Sequence, residues 1–587
     1  MQLPPASPFP SDTPAPGGGR RNLPLIIGGV AIVLIIIIAV GGVMAWRALS
    51  SRPNSIPQLL AGDTQIYAAI TPNLSDLPNI DRLRKAFPET LDYQNSTDTN
   101  KQLMELMGVD VKTDIMPWIG TEMAVAVSGL PFNTLFDPNG ASVSGDTTQI
   151  EKAQVTLVLT SRDEKAAQAF LDKQRAYREG KGQKFTSSQA QGTTIYAQQG
   201  SDPSPIVAFG LVRGNVIFST SSDLIAAIAT RDTNGKDTLA VNPRFQQVLA
   251  ALPAGHLGFV FIDGAPLASA ISANSDKFVG QLQGATADRL REQIKSAAAL
   301  QGIGLSISVL ADGVAFDALA QVDRAKLSQA SLDQIKELSD PVNADRVGRI
   351  GSDALSALSF RLPASLGAQI REAIDSTPDA KAQVATMEQE FGIDLNRDLL
   401  NWLQGEGTIV LTPGEEILGS PSPVTGYFAL KPNDKAAAQD GMKRIATAID
   451  KAGGGMLSLR EEQLGGVAWQ VFGPGQQVAV GYTFIGDDLV IGVGPKTLAA
   501  VSVPAKAPLS GIAAYQAGIK AVPAPNGGLI YVNLPNILTL AKSLDAFSDP
   551  TVEDRLKPFK AITAAGAPGI DDKGVSRGRL YFVISGE

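Results

Sequence analysis

One stretch of sequence occurs twice, and it constrains the whole chain. It reads MGVDVKTDIMPWIGTEMAVAVS at residues 107–128 and FGIDLNRDLLNWLQGEGTIVLT at residues 391–412. Five residues are identical at one offset of 284 (392 − 108): Gly108 and Gly392, Asp110 and Asp394, Asp114 and Asp398, Trp118 and Trp402, and Glu122 and Glu406. Such a repeat at one spacing indicates two copies of one folding unit.

Other segments repeat in the same order. GDTQIYAAITP at 62–72 has its counterpart in ALSALSFRLP at 354–363, and GFVFIDG at 258–264 has its counterpart in GLIYVNL at 528–534. The offset shrinks from 290 (353 − 63) to 270 (528 − 258), which predicts shorter loops in the second copy. Strands in runs joined by short turns, with helices between the runs, predict an α+β fold. Each repeat is expected to be a mainly antiparallel sheet packed with helices.

These boundaries divide the body of the chain into three parts. We expect a first α+β repeat domain at residues 58–322 and a second at 350–587. A charged helical connection is expected between them, at residues 323–349. Two related domains of this kind create a cleft, and that cleft is the expected place for a ligand.

The N-terminal region differs from the rest in composition. Residues 1–22 are rich in Pro and Gly and are predicted to be a disordered tail. Residues 23–46 carry no charge, and about 20 apolar residues suffice to cross a bilayer. A single transmembrane helix is therefore predicted there, with the lipid bilayer as its partner, followed by a polar linker at 47–57. A cleavable signal peptide ending near Ala48 and Ser50, and a buried core helix, are the alternatives.

Charge and cysteine usage bear on the location of the domains. The net charge is −8, but the first 57 residues carry Arg20, Arg21, Arg47 and Arg52 against Asp12, so the remainder carries −11 (−8 − 3). An acidic body without basic clusters excludes nucleic acid as a partner. The flanking arginines are balanced, and the acidic body and the absence of cysteine favour a cytoplasmic N-terminus with the domains outside the cell membrane. Domains that face the cytoplasm are the open alternative.

Three features together carry a resemblance to a known family. They are the opening GDTQIYAAITP after an apolar segment, the paired G-x-D-x-x-x-D-x-x-x-W stretches, and the strands followed by DEKAA at 163–167 and DKAAA at 434–438. In these features residues 58–587 resemble a bacterial family known as domain of unknown function 3352. The resemblance implies a membrane-anchored envelope protein and supplies no catalytic residues.

The repeated stretch superficially resembles a calcium loop at Asp394, Asn396 and Asp398. A calcium loop then requires Gly and a bidentate Glu, but the chain has Leu399 and Gly405 at those positions. We therefore expect no metal site. The two glycines of the repeat are expected to end one helix, the aspartates to cap the next, and the tryptophans to pack against the sheet.

Two further features are weak as candidate sites. Gly492-Val-Gly494-Pro-Lys496-Thr497 resembles a phosphate-binding loop, but Pro495 replaces the Gly required before the Lys. His256 is the only histidine, and no nucleophile-elbow pattern accompanies it. The sequence therefore assigns no catalytic, cofactor-binding or metal-ligating residues, and no cofactor is expected.

These observations favour a non-enzymatic protein. We expect a membrane-anchored, extracytoplasmic binding or scaffolding module of the bacterial cell envelope, whose ligand in the interdomain cleft is an envelope protein, a peptide or a lipid. The alternative is a carboxylate-based hydrolase of envelope polymers acting in the same cleft. Clustered carboxyl groups with raised pKa values at the cleft would favour the hydrolase, and a smooth apolar cleft would favour lipid or peptide binding.

Overall fold

The computed structural model describes residues 55–70, 79, 85–87, 104, 108–132, 153–200, 206–232, 235–280, 285–453, 458–546 and 550–584. The predicted tail at 1–22, the predicted transmembrane helix at 23–46 and most of the linker at 47–57 lie outside these residues.

The first half of the described chain contains ten strands and six α-helices. The strands are β1 (Ile66–Ile70), β2 (Ile119–Ser128), β3 (Gln154–Ser161), β4 (Phe185–Ala190), β5 (Thr193–Gln198), β6 (Ala208–Val212), β7 (Asn215–Ser219), β8 (Gly258–Asp263), β9 (Leu300–Leu310) and β10 (Gly313–Val322). The helices are α1 (Glu164–Gly180), α2 (Ser222–Thr230), α3 (Pro243–Ala251), α4 (Gly264–Ala273), α5 (Ser275–Val279) and α6 (Ala285–Ala297).

Two helices connect the halves, and twelve strands and seven α-helices follow in the described residues. The connecting helices are α7 (Gln329–Glu337) and α8 (Ala344–Gly348). The strands are β11 (Ser356–Leu362), β12 (Gly405–Pro413), β13 (Glu416–Ile417), β14 (Ser420–Pro421), β15 (Val424–Pro432), β16 (Ser458–Leu464), β17 (Val467–Gly473), β18 (Val480–Ile485), β19 (Asp488–Val493), β20 (Gly528–Asn533), β21 (Phe559–Gly566) and β22 (Val575–Ile584). The helices are α9 (Leu366–Asp375), α10 (Pro378–Phe391), α11 (Lys435–Ala452), α12 (Pro495–Val501), α13 (Ala513–Ala521), α14 (Leu534–Ser543) and α15 (Pro550–Leu556).

All of these strands except β13 and β14 belong to one antiparallel sheet of 20 strands. In the first half the order is β4-β5-β6-β7-β3-β2-β1-β8-β9-β10. It continues as β22-β21-β20-β11-β12-β15-β19-β18-β17-β16. The second half thus has the order of the first in reverse.

The expectation of two sheets, one in each repeat, is wrong. The closing strands β10 and β22 pair with each other from Gly313 and Val583 to Gln321 and Val575, which joins both halves into one sheet. Each closing strand would otherwise expose a row of unpaired backbone groups. The alternation of side chains along a strand does not specify its pairing partner, so this junction is not visible in the sequence.

The fold class needs a second correction. None of the helices in the described ranges is long and apolar enough to cross a membrane. The described structure is therefore α+β, with one large antiparallel sheet, and it does not include the expected membrane-spanning helix.

The strand registers of the two halves are equivalent. Ile66 pairs with Val127 in the first half. Adding the sequence offsets of 290 and 284 gives Ser356 and Leu411, and these residues also pair. Because the equivalent strands β10 and β22 pair antiparallel, the halves are related by an approximate two-fold rotation about the junction. The domain limits at 58–322, 323–349 and 350–587 stay predictions.

Helices cover the two faces of the sheet unequally. The covered face carries Tyr67 and Phe261 beneath α2 and α3, and Tyr531 and Tyr581 beneath α13. We call the opposite side the open face. It is buried towards the two ends of the sheet, where Trp118 packs with α1 and Trp402 packs with α11.

In both halves a small residue packs against a larger one where a helix contacts the sheet, but the helix supplies the larger residue in one half and the small residue in the other. In the first half, Val248 of α3 lies over Gly302 and Gly304 of β9, where an added Cβ would come within 2.7 Å of the valine. In the second half the helix supplies the small residue, because Gly518 of α13 lies against Thr563 of β21. Gly518 is equivalent to Val248 at the offset of 270.

We expect Gly518→Val to destabilise the protein by about 1–3 kcal/mol, because the valine would collide with Thr563 in a close-packed interface. The double variant Gly518→Val/Thr563→Gly reproduces the arrangement of the first half and should recover part of that loss. Urea unfolding of both variants and of Thr563→Gly alone measures the coupling. A double variant no more stable than the sum of the two single changes would contradict this account.

Candidate binding surface at the junction

The five identical pairs of the repeat serve the fold. Gly392 ends α10 with φ 68°, and Gly108 has φ 66°, in the left-handed conformation that favours glycine. The Asp394 carboxylate accepts a hydrogen bond from the Arg397 N–H at 3.0 Å, and that of Asp110 accepts one from the Thr113 N–H at 3.0 Å. Gly392 therefore ends a helix as expected, and Asp110 and Asp394 each accept an N–H group of the following turn, whereas most of the residues before Gly108 lie outside the described ranges.

The second aspartate of the repeat binds cations of the same chain. Asp398 is buried and accepts hydrogen bonds from Arg397 at 2.7 Å and from Arg444 at 2.6 Å. The hydrogen bond from Arg397 in particular holds the pKa of Asp398 well below its ordinary value. Its counterpart Asp114 is paired with Lys173 at 2.6 Å. Both carboxylates also accept a backbone N–H, from Asp394 and Asp110 respectively.

The tryptophans complete the same local structure. The Trp118 indole N–H donates to the Asp114 carbonyl at 2.7 Å, and that of Trp402 donates to the Asp398 carbonyl at 2.8 Å. Both rings are almost fully buried. Within the described ranges, no group of three or more His, Asp or Glu side chains is arranged to hold a metal ion.

The glutamates of the repeat hold the segment that leads into each half. Glu122 is buried and accepts hydrogen bonds from the Ser55 N–H at 3.1 Å and from the Tyr67 hydroxyl at 3.3 Å. Burial raises the pKa of Glu122, and burial beside Glu122 raises the pKa of Tyr67 well above its ordinary value. Glu406 accepts the Asn343 N–H at 2.6 Å. Unlike Glu122, it has an arginine nearby, Arg346, at 3.9 Å.

The segment that resembles a phosphate loop is occupied by a side chain of the protein. The Glu415 carboxylate accepts the backbone N–H of Lys496 at 2.9 Å. It also accepts the backbone N–H and the hydroxyl of Thr497, at 2.9 and 3.0 Å. The N-terminus of α12 thus already has an internal anion.

His256 has a structural environment. Its Nδ1 lies 2.8 Å from the Pro253 carbonyl oxygen, and its ring packs edge-to-face on Phe259 with centroids 5.1 Å apart. These contacts explain the residue as part of the turn that precedes β8.

A polar cavity of about 640 Å³ lies where the halves meet. Its lining includes Gln301 and Gln321 from the first half and Arg577 from the second. Both of its acids lie near a base, because Asp572 lies 3.7 Å from Arg324 and Asp323 lies 3.8 Å from Lys326, and Arg577 lies 2.9 Å from Asp571. Glu122, whose carboxyl group has a raised pKa, does not line this cavity.

The open face at the junction has the opposite character. On seven neighbouring strands, from β9 across the junction to β12, outward-facing residues form continuous rows. The first row is Ile307, Phe316, Leu580, Ala564, Ile530, Leu358 and Ile409. The second row is Val309, Val314, Phe582, Ile562, Val532, Ser356 and Leu411. A third, shorter row is Leu305, Ala318, Gly578, Gly566 and Gly528. We call these three rows the apolar belt.

The apolar belt is charge-free and partly uncovered. Ser356 is its one polar residue, and six of its large side chains are 37–44% exposed: Leu305, Phe316, Leu580, Ile530, Ile409 and Leu411. At one end the belt is covered, because Ala86, Phe87 and Val314 pack against the buried cluster of Val309 and Ile584. Since strands lie about 4.8 Å apart, the belt is about 29 Å long. This surface cannot be recognised from the sequence, because apolar residues on both faces of a strand are also typical of buried strands.

We expect Glu122→Gln to stabilise the protein by about 1 kcal/mol at pH 8, because burying an ionised carboxylate is costly. A raised folded-state pKa means that the folded state binds the proton more tightly, so the cost of Glu122 grows as pH rises above about 4.3 and vanishes below it. Thermal unfolding of both proteins between pH 4 and pH 8 measures this difference. Glu406→Gln is the matched control and should destabilise at pH 8, because it weakens the contact with Arg346. A glutamine at 122 that is more destabilising at pH 8 than at pH 4 would contradict the assignment.

Three solved structures share a low similarity with the chain, all of a protein titled TP0453. Its crystal form I has 11% identity and a TM-score of 0.23, covering 50% of this chain and 89% of that chain. Crystal form IV (11%, TM-score 0.23) covers 46% and 81%, and crystal form III (12%, TM-score 0.23) covers 50% and 88%. This similarity is too low to support an argument about fold or function.

No curated protein matches the sequence significantly. A family model described as "Protein of unknown function (DUF3352)" matches residues 27–584. This match covers nearly the whole chain and confirms the family resemblance carried by the paired motifs. The chain belongs to the DUF3352 family.

Proposed function

We propose that this protein is a non-enzymatic binding module of the bacterial cell envelope, and that it binds an apolar partner on the apolar belt. The observation that supports this most strongly is the exposure of six large apolar side chains on one charge-free surface. Monomeric proteins rarely expose apolar patches larger than a few hundred Å², and such patches are often binding sites. The belt, at about 29 Å by 20 Å over its widest part, measures on the order of 500 Å².

The energetics support a bound partner. Full burial of a Leu, Ile or Phe side chain stabilises by roughly 1.5–3 kcal/mol. Six such side chains are partly exposed, so several kcal/mol of this burial free energy are not gained in the protein alone. A partner that covers the side chains would supply it. The belt crosses the junction of the halves, so both repeats contribute to the proposed site.

The alternative function, a carboxylate-based hydrolase, finds less support. It requires acids that act as a pair at the cleft. The acids that line the junction cavity instead lie near bases, Asp572 at 3.7 Å from Arg324 and Asp323 at 3.8 Å from Lys326. We therefore propose binding rather than catalysis.

The proposed binding is tested by a photo-crosslinking amino acid at Ile530, introduced into the full chain in cells. Val503 is the matched control, because it is equally apolar, 50% exposed and outside the belt. We expect irradiation to give an adduct at position 530 and at least tenfold less at position 503. Mass spectrometry of the isolated protein identifies the adduct. The proposal is refuted if position 530 gives no adduct, or the same yield as position 503.

We also propose that the described domains lie outside the cytoplasm, which the acidic body and the absence of cysteine support. Ser188 is exposed on the edge strand β4, so Ser188→Cys introduces one accessible thiol into a chain that has none. Intact cells treated with a membrane-impermeant thiol reagent should label this variant. Ser7→Cys, in the N-terminal tail, should be labelled only after the cells are lysed. Labelling of the cysteine at 188 only after lysis would place the domains in the cytoplasm and reverse this assignment.

A further inference from the structure

The third row of the apolar belt contains a recess. Ala318, Gly578, Gly566 and Gly528 occupy its middle, on four neighbouring strands. The adjoining row carries Phe316, Leu580 and Ile530 on three of these strands. We call this line of small residues the glycine recess. It is bounded by Leu305 on β9 at one end. Phe360 bounds the other end, because Ser359 pairs with Leu529 and so places Phe360 beside Gly528.

The glycines of the recess are not required by the described fold. Their φ angles lie outside the left-handed region. An added Cβ would meet only backbone oxygens at ordinary distances, 3.5 Å at Gly528 and Gly566 and 3.8 Å at Gly578. Glycine inside a strand costs stability and often marks close approach of a ligand. The contrast with Gly304, which is packed beneath Val248, shows that the space over the recess is unfilled by the described chain.

The size of the belt favours a small occupant. A stable protein partner generally buries about 800 Å² on each side. The whole belt provides on the order of 500 Å², which is too little for a second copy of this chain or another folded protein to bind stably through this surface alone. The recess is one row of residues wide. It crosses four neighbouring strands, which gives it a length of about 14–19 Å.

The chemistry of the belt narrows the occupant further. None of its residues is charged, and the backbone groups of its inner strands are paired within the sheet. A polar ligand or an extended peptide would lose its hydration there without new hydrogen bonds, which is costly. A hydrocarbon chain has no hydrogen-bonding groups, so it loses no hydrogen bonds to water when it binds there. The absence of charge on the surface thus complements the absence of charge on the ligand.

We infer that the glycine recess holds a single fatty acyl chain, with Phe316, Leu580 and Ile530 packed along one side of it. The inference rests on the proposed function and names the ligand class of the same surface. Closely approaching methylenes over Gly578, Gly566 and Gly528 would fill the space that these residues leave, and Leu305 and Phe360 would limit the length of chain held.

The test fills the recess without removing its sides. Gly578→Val and Gly566→Val place branched side chains in the open space, and valine suits a strand better than glycine, so both variants should fold at least as stably as the unmodified protein. Ser188→Val is the matched control, because it adds the same side chain to an exposed strand outside the belt. The probe is palmitic acid that carries a diazirine, supplied to cells that express the full chain.

We expect irradiation to label the unmodified protein in the peptides that line the recess, which are 296–324, 521–542, 561–573 and 580–587. The labelling of each glycine variant should be at least tenfold lower than that of the unmodified protein, and the labelling of Ser188→Val should be unchanged. Equal labelling of the glycine variants, or labelling outside these peptides alone, overturns the inference. A protein adduct at position 530 without labelling by palmitic acid also overturns it, but leaves the proposed binding function in place. No adduct of any kind at position 530 removes both.

Discussion

The pairing of β10 with β22 is the constraint on which the rest of the structure depends. It joins two strands that would otherwise be exposed sheet edges, and at its centre Asp317 and Arg579 form an ion pair with 2.6 Å between Oδ1 and Nε. Arg579 also donates to the Ala521 carbonyl at the end of α13, which ties the pair to the covered face. A slip of one residue would turn every side chain of one strand to the opposite face. The ion pair and the apolar belt therefore require the same register.

Closing the junction leaves two edges, and the repeats treat them differently. At one end of the sheet, β16 carries Arg460, Glu461 and Glu462, and charged side chains discourage further strand pairing. At the other end, β4 has the sequence FTSSQA, without charge or proline. The duplicated unit thus gives an extended sheet whose ends have diverged, while the centre is fixed by contacts that involve both copies.

The sequence predicted the local structure better than the global arrangement. The identities at Gly392, Asp398 and Trp402 and the offsets of 290, 284 and 270 correspond to equivalent caps, turns and strand registers, because these depend on neighbouring residues. The pairing of β10 with β22 depends on two edges distant in sequence, and no local pattern encodes it. The belt was equally hidden, because alternate positions such as Phe316 and Ile530 look the same in the sequence whether helices cover them or not. The sequence contains one indication of this surface, which is glycine inside apolar strands at 528, 566 and 578. Glycine there indicates that another group approaches the strand closely, but it does not identify that group.

The recess arises where the two copies depart from symmetry. At the junction offset of 262 (575 − 313), Phe316 is equivalent to Gly578 and Ala318 is equivalent to Leu580. The antiparallel pairing places Phe316 beside Leu580 and Ala318 beside Gly578. Two identical copies would place one large and one small residue in each row, or residues of intermediate size in both. The observed difference concentrates both large side chains in one row and both small residues in the next. A symmetrical junction would also join the sheet, and the observed asymmetry suits the proposed ligand, which lies across the strands with large side chains on one side of it.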